Sequence, residues 1–433
     1  MKTVIFPILA ASLLFSSSAF AAVSEEEIEA MREQLALMSQ RLDQLAAENA
    51  ELRRAQDESA NTIAEVQSTV TEVATAAMPA ASESWPDRIG LDGDFRYRYE
   101  RIDAEGSDTR RRNRIRARVN LKAELSDDLQ VGFGIATGGD DPVSTNQTLG
   151  GGGSSKGLSL NLAYADWEAV DGMHLIFGKY KNPLYRAGKQ PLMWDGDWTP
   201  EGLAFTWKRN RFFVNAIGTF LESDSRTEND SFTWGAQFGA TAEFAGARLT
   251  GGLAYFSIPT QDRSTTFGDP SDPGDYFGNT AVQADGQPCG SVAGESCTYL
   301  YDYQLTQVFA EAAFELGGWP TTLFMDYVNN GDTSEEDTGW TLGGRLGEAK
   351  DRGQFRFSYF YAEKEADALL GLLTDSDFAG GGTDNSGHFL QVDYGVSKNW
   401  TIGAQYFINE IDVSSGNKRD YNRLMLDAQW KWK

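Results

Sequence analysis

From Ile89 to Trp432 the chain is built of short segments in which apolar and polar residues take turns. Side chains of a strand point alternately to opposite faces, so each segment carries one greasy face and one wet face. In the last segment, Leu424, Leu426, Ala428, Trp430 and Trp432 share one face, and Arg423, Asp427, Gln429 and Lys431 the other. Sixteen such segments are predicted, near 89–102, 112–125, 129–137, 157–168, 173–180, 202–208, 211–221, 232–244, 247–258, 304–316, 321–328, 338–347, 354–364, 387–396, 400–411 and 421–432. Short turns such as Ser126-Asp127-Asp128, Val170-Asp171-Gly172, Arg209-Asn210, Ala245-Gly246 and Ser397-Lys398-Asn399 alternate with long loops rich in glycine and aspartate. The pattern predicts an all-β fold: a 16-stranded antiparallel transmembrane β-barrel over residues 88–433, with a lipid-facing exterior and a wet interior. An even strand count places both barrel ends on the short-turn, periplasmic side.

Ahead of the barrel the period changes. Ile28, Met31, Leu35, Met38, Leu42, Leu45, Asn49, Leu52, Gln56, Ser59, Ile63, Val66, Val70 and Val73 fall at alternating steps of three and four, an a/d heptad register. This predicts a periplasmic α-helical coiled coil over 22–78, about 70 Å long from Ile28 to Val73 at 1.5 Å per residue. A single amphipathic helix packed on its own domain competes, but a two-position seam is narrow for a globular face. Glu48 and Arg53 stand at g and following e positions, and Asn49 on the seam sets register at some cost in stability. The Ile and Val content of the later seam permits a trimer. Pro79 and the residues up to Pro86 break the helix and form a linker over 79–87. At the start, Lys2, the apolar stretch Val4 to Phe15 and Ala19-Phe20-Ala21 predict a signal peptide, residues 1–21. The acidic run beginning at Glu25 argues against a membrane anchor, and no window of eighteen consecutive apolar residues supports a helical span.

Aromatic placement tests the topology. Tyr97, Tyr99, Trp234, Tyr255, Tyr327, Trp340, Tyr359 and Tyr361 lie near predicted outer strand ends; Trp207, Phe314, Tyr394, Trp400, Trp430 and Trp432 lie near inner ends. Two girdles are expected of a barrel, whereas a soluble β-sandwich would bury such rings. Mean hydropathy is −0.42, compatible with strands that meet lipid on one face only. The net charge of −25 is opposite to that of a nucleic-acid binder, so no nucleic-acid partner is expected. The two cysteines, Cys289 and Cys297, share the longest loop of an exported chain; a disulfide is expected, with a redox or metal pair as the alternative.

The run Arg114-Ile115-Arg116-Ala117-Arg118-Val119-Asn120-Leu121, the loop start Asp141-Pro142-Val143-Ser144-Thr145-Asn146-Gln147, and the stretch from Gly178-Lys179-Tyr180-Lys181-Asn182-Pro183 to Trp194-Asp195-Gly196-Asp197 resemble bacterial outer-membrane porins of the 16-stranded type that carry an N-terminal periplasmic coiled coil. The resemblance implies a trimeric diffusion channel for small hydrophilic solutes in a Gram-negative outer membrane, in contact with lipid and lipopolysaccharide. It also implies one long loop folded inward to narrow the pore. The chain departs from the pattern at its end, where Lys433 follows the aromatic Trp432.

On the first strand Asp92, Asp94, Arg96, Arg98 and Glu100 turn inward; on the second, Arg114, Arg116, Arg118 and Lys122 do so. Such a basic ladder favours anions, or else pairs with Asp92, Asp94 and Glu124 and merely stiffens the wall. Both readings stand. The loop from Lys181 to Glu201 follows the fifth strand, where the resemblance places the constriction. Its Lys181, Arg186 and Lys189 against Asp195, Asp197 and Glu201 would set a transverse field, unless it is an ordinary surface loop. Acidic loops at Ser264–Asp285, Asp332–Asp337 and Asp375–Asp384 are expected outside. The run Asp269–Asp275 only faintly suggests calcium, so no metal site and no cofactor are expected. His174 and His388 are the only histidines and fall at opposite ends of the barrel; with no G-x-S-x-G elbow, enzymatic activity is not expected. The alternative function is a structural tether whose coiled coil contacts peptidoglycan. Inward aromatics such as Phe309 and Phe360 are too few to define a sugar track.

Overall fold

A computed structural model describes residues 88–139, 141–223, 231–263, 276–283, 286–289 and 297–433. The expected signal peptide, coiled coil and linker, and the run Asp269–Asp275, lie outside the described residues. The sixteen expected strands are present, each within two residues of its anticipated bounds: β1 Ile89–Ala104, β2 Arg110–Glu124, β3 Leu129–Thr137, β4 Leu158–Val170, β5 Met173–Lys179, β6 Glu201–Arg209, β7 Phe212–Glu222, β8 Ser231–Phe244, β9 Ala247–Ile258, β10 Tyr303–Leu316, β11 Trp319–Asn330, β12 Thr338–Gly347, β13 Phe355–Lys364, β14 Asn385–Ser397, β15 Trp400–Ile411 and β16 Arg419–Trp432. Each pairs antiparallel with its chain neighbours, and β1 pairs with β16 from Gly93↔Trp432 to Ala104↔Tyr421, so the sheet closes on itself. Turns at one end are tight. Ala245 and Gly246 both hold positive φ, 51° and 81°, the geometry a two-residue hairpin needs.

The wall inverts the usual burial rule. Along β8, Phe232, Trp234 and Phe238 are exposed while Ser231, Thr233 and Gln237 are buried. On β9, β11 and β12, Leu253, Leu323 and Leu342 stand more than half exposed. Withdrawing such a side chain from water is worth roughly 1.5–3 kcal/mol, a gain this wall realises only in hydrocarbon. Both aromatic girdles exist: Trp234 stacks near Tyr255 at 5.7 Å and Trp340 near Tyr361 at 5.2 Å on the outer side, with Trp400 on Trp430 at 5.5 Å and Phe355 near Tyr394 at 5.0 Å on the inner side.

Parts of three long connections fold into the barrel: L3 (180–200), the described residues 276–281 and 297–299 of the connection L5 between β9 and β10, and L7 (365–384). Trp194 and Trp198 of L3, Tyr276 and Tyr299 of L5, and Leu369, Leu370, Leu372 and Leu373 of L7 form one apolar core within it. Asn279 of L5 pins L7, donating to Ala366 O at 2.7 Å and Leu369 O at 2.8 Å while Gly371 N donates to its Oδ1 at 2.8 Å. Cys289 and Cys297 form the expected disulfide in L5. The segment Asp375–Asp384 is therefore not an outer acidic surface as anticipated: its leading Ala-Leu-Leu-Gly-Leu-Leu run has an apolar partner only inside the barrel, and this draws the acids inward.

Beyond Lys179 and Glu201 the strands β5 and β6 stop where L3 turns inward. On that side no described strand pairs with β4 at Leu158–Leu162 or with β7 beyond Thr219. A cavity of about 810 Å3 opens there, edged by the outward Leu160 and Phe220.

Candidate functional site

The narrow part of the lumen starts from the register of β1 and β2, which sets Arg96 opposite Arg116, Arg98 opposite Arg114, and Asp94 opposite Arg118. Like charges facing each other across strands are destabilising, so the cluster needs carboxylates. Asp94 accepts from Arg116 Nη2 at 2.9 Å and Arg118 Nε at 2.7 Å. Asp197 of L3 accepts from Arg118 Nη1 at 2.9 Å and lies 3.4 Å from Arg116 Nη1. Arg98 donates to Asp427 at 2.7 Å and to Asp377 of L7 at 2.8 Å. Glu100, fully buried, pairs with Arg112, with Arg423 at 3.1 Å and with Arg114 at 3.6 Å. The ladder therefore anchors L3 and L7 as well as lining the lumen. Asp92 accepts from Asn120 at 2.8 Å, and Lys122 continues the inward row opposite Gly90.

L3 is held at several points. Tyr185 N donates to Gln237 at 2.8 Å, Gly188 N to Glu311 at 2.6 Å, and Gln190 Nε2 to Asp326 at 2.9 Å. Gly188 sits at φ +61° with the Phe324 ring so close that any β-carbon would overlap it. Asp195 is buried and accepts from Asp197 N at 2.6 Å and Ser376 N at 3.0 Å, tying L3 to L7. Arg186 donates to Trp194 O at 3.2 Å, Lys189 is exposed at the loop tip, and Lys181 lines the inner approach. Glu201 departs from expectation. It opens β6 on the outward face, in line with Leu203 and Phe205, and pairs with Lys179 at 2.6 Å on the outside of the barrel. The acid-to-base arrangement also differs from a field set across a gap, because Asp197 touches Arg116 and Arg118 directly.

Charge states of the loop acids follow these contacts. Burial pushes Asp195 well above the usual carboxylate range, and Asp375 and Asp197 add to the rise. Removal from water, with Asp377 beside it, lifts Asp375 to about 6. Burial acts the same way on Asp377, but Arg423 and Arg98 outweigh it and hold that group low; Arg116 and Arg118 do so for Asp197.

Between the loops remains a cavity of about 350 Å3. It is lined by Arg96, Arg98, Arg116, Arg186, Lys189 and Arg345 against Asp195, Asp197, Asp375 and Asp377. Toward the short turns it meets a second cavity of about 620 Å3, where Arg96, Arg116, Arg118, Lys189, Arg345, Lys350, Arg356 and Lys431 face Glu348, Asp393 and Asp427. Arg96 donates to Asn146 at 2.6 Å and Arg345 to Gly188 O at 2.6 Å; none of the described carboxylates forms an ion pair with either, or with Lys189. The sequence reading left out Arg345, Asp377 and a set of inward phenylalanines, Phe324, Phe389 and Phe407, which join Phe309 and Phe360 in one cluster. Their signal was present in the inward phase of their strands. His174 hydrogen-bonds Asp166 at 2.9 Å, and His388 lies on the outer face against Tyr361.

No curated protein sequence matches the chain. Among solved structures it is similar to OprB of Pseudomonas putida at high pH (TM-score 0.53, 11% identity, 80% of this chain and 95% of that one). It is also similar to OmpF of Salmonella typhi in complex with daunomycin (TM-score 0.48, 12% identity, 81% and 100%) and to a trimer form of OmpT of Vibrio cholerae (TM-score 0.45, 14% identity, 79% and 99%). The family described as "Putative porin" matches residues 103–267 and 299–430, more than half of the chain. With a closed, lipid-facing barrel of sixteen strands and loops narrowing its lumen, the chain belongs to that porin family and is an outer-membrane porin.

Proposed function

We propose that the chain passes small hydrophilic solutes by passive diffusion, that it prefers anions, and that it works as a homotrimer. The anion preference rests on one observation: basic side chains outnumber acidic ones in both cavities of the lumen, and five of the basic groups, Arg96, Arg186, Lys189, Arg345 and Lys431, form no ion pair with any described carboxylate. A low-dielectric tube focuses that field on the ions within it. The test is the reversal potential of the purified full chain in a planar bilayer under a tenfold KCl gradient. A potential on the anion side is expected, and one on the cation side overturns the selectivity.

Assembly is supported by the gap in the wall above Lys179 and Glu201. β5 has seven residues, fewer than the nine to eleven that a tilted strand needs to cross the hydrocarbon. Unpaired strand edges and an outward ion pair at an apolar rim are costly in lipid, several kcal/mol for each unsatisfied backbone group. A neighbouring copy that covers this face removes that cost. A coiled coil over residues 22–78, outside the described residues, would hold three copies together from the periplasmic side and could reach peptidoglycan.

A further inference from the structure

Four inward phenylalanines line the 350 Å3 cavity: Phe324 on β11, Phe360 on β13, Phe389 on β14 and Phe407 on β15. Phe360 and Phe389 stack at 4.7 Å, and Phe389 and Phe407 lie 4.9 Å apart. A wetted porin wall is ordinarily polar, so an apolar arc at its narrowest level needs a reason. Part of that reason is structural, because Ala187 of L3 and Phe378 and Ala379 of L7 pack on the same rings. Loop anchoring does not explain why the rings also border the open cavity, nor the cations that stand beside them.

Cations flank the run of three rings Phe360, Phe389 and Phe407: Arg345 on β12 stands between Phe324 and Phe360, and Arg96 on β1 follows Phe407 around the barrel, one strand beyond β15's neighbour β16. Neither forms an ion pair with a described carboxylate, and the Nε of each is buried without a hydrogen-bond acceptor among the described residues, as is that of Arg114 and Arg423, which do have Glu100 as partner. A buried donor left without an acceptor is destabilising unless a bound group supplies one. Of the other arginines lining the cavity, Arg98 and Arg116 are saturated by Asp427, Asp377, Asp94 and Asp197, and Arg186, on L3, donates to Trp194 O. The cavity thus offers an apolar arc flanked by two guanidiniums with free capacity, and guanidinium geometry matches a carboxylate.

We infer that this cavity is a transit site for amphiphilic organic anions, solutes with one carboxylate and an aromatic body, the ring resting on Phe360, Phe389 and Phe407 and the carboxylate on Arg96 or Arg345. The inference deepens the anion-channel reading and rests on it. Stacking of one ring on another favours an aromatic carboxylate over a methyl one by about three- to tenfold.

The experiment uses the full chain in a planar bilayer at pH 8 in 0.1 M KCl, titrated with sodium benzoate or sodium acetate. The concentration that halves the chloride current is read. Benzoate is expected to reach it at about three- to tenfold lower concentration than acetate, and Arg345→Gln with Arg96→Gln is expected to weaken both anions. Phe389→Leu with Phe407→Leu is expected to erase the difference between them. Equal half-block concentrations in the unaltered chain overturn the inference without any variant, as does a leucine variant that keeps the difference. An anion-side reversal potential with no benzoate preference removes this inference and leaves the channel reading standing. A cation-side potential removes both.

Discussion

Replacing Asp197 by Asn tests the electrostatics of the constriction with a near-isosteric change. The carboxylate sits 2.9 Å from Arg118 Nη1, 3.4 Å from Arg116 Nη1 and 3.1 Å from Thr145 Oγ1, and it lines the 350 Å3 cavity. L3 keeps its other attachments through Gln190, Gly188 and Asp195, so the change acts mainly on charge. A sphere of 350 Å3 has a radius of about 4.4 Å, which puts an ion at its centre roughly 6 Å from a wall carboxylate. At that distance one unit charge in a water-like dielectric contributes about 0.7 kcal/mol, reduced by screening at 0.1 M salt to about 0.4 kcal/mol. Removing one negative charge therefore raises anion occupancy about twofold and lowers cation occupancy by the same factor. The anion-to-cation permeability ratio is expected to rise three- to fourfold, read from reversal potentials in a KCl gradient. Asp332→Asn, on the exposed connection between β11 and β12, is the control and is expected to leave the ratio where it was. An Asp197→Asn ratio within experimental scatter of the unaltered chain would refute the placement of this carboxylate at the aperture.

Acidification should act in the same direction. Burial lifts Asp375 to about 6, so this acid takes up a proton as pH falls through that region and the aperture becomes more positive. Between pH 7.5 and 5 the anion-to-cation ratio is expected to climb about threefold with an inflection near 6, and Asp375→Asn to flatten the curve; a ratio that falls with acid contradicts the assignment. Asn279→Ala removes the hydrogen bonds that pin L7, each worth roughly 1 kcal/mol net. It is expected to give larger and noisier single-channel currents, whereas unaltered current noise would mean that L7 is held by its leucines and by the Ser376 and Asp377 contacts without Asn279. Glu201→Arg places like charges together on the outer face at the proposed subunit contact. The oligomer band on an unheated denaturing gel should dissociate at a lower temperature, and an unchanged transition would put the contact elsewhere.

The barrel was legible in the sequence because its signal is local. Alternation along Arg419–Trp432 or Ser231–Phe244 needs no knowledge of any other segment, and lipid on one side makes the phase unambiguous. The arginine wall followed from that phase. The division of labour within it did not, because Arg98 is satisfied by Asp427, 329 positions away, and by Asp377, 279 positions away. L7 misled for a related reason. Its aspartates suggested solvent, although the six residues Ala368 to Leu373 that precede them are apolar and belong to no strand, a run that water would not leave exposed. Glu201 was misplaced by a single residue of strand boundary, since the outward row of β6 begins with it rather than with Leu203. The phenylalanine arc is spread over β11 to β15, and each ring looks unremarkable until closure of the barrel brings Phe360, Phe389 and Phe407 side by side.

Conductance of the purified, detergent-folded full chain in a planar bilayer tests the central claim most directly. A water-filled barrel predicts discrete current steps that are linear in voltage, and a trimer predicts that they come in threes. A chain that inserts and migrates as a heat-modifiable barrel yet passes no ions would contradict the account and leave the barrel as an anchor.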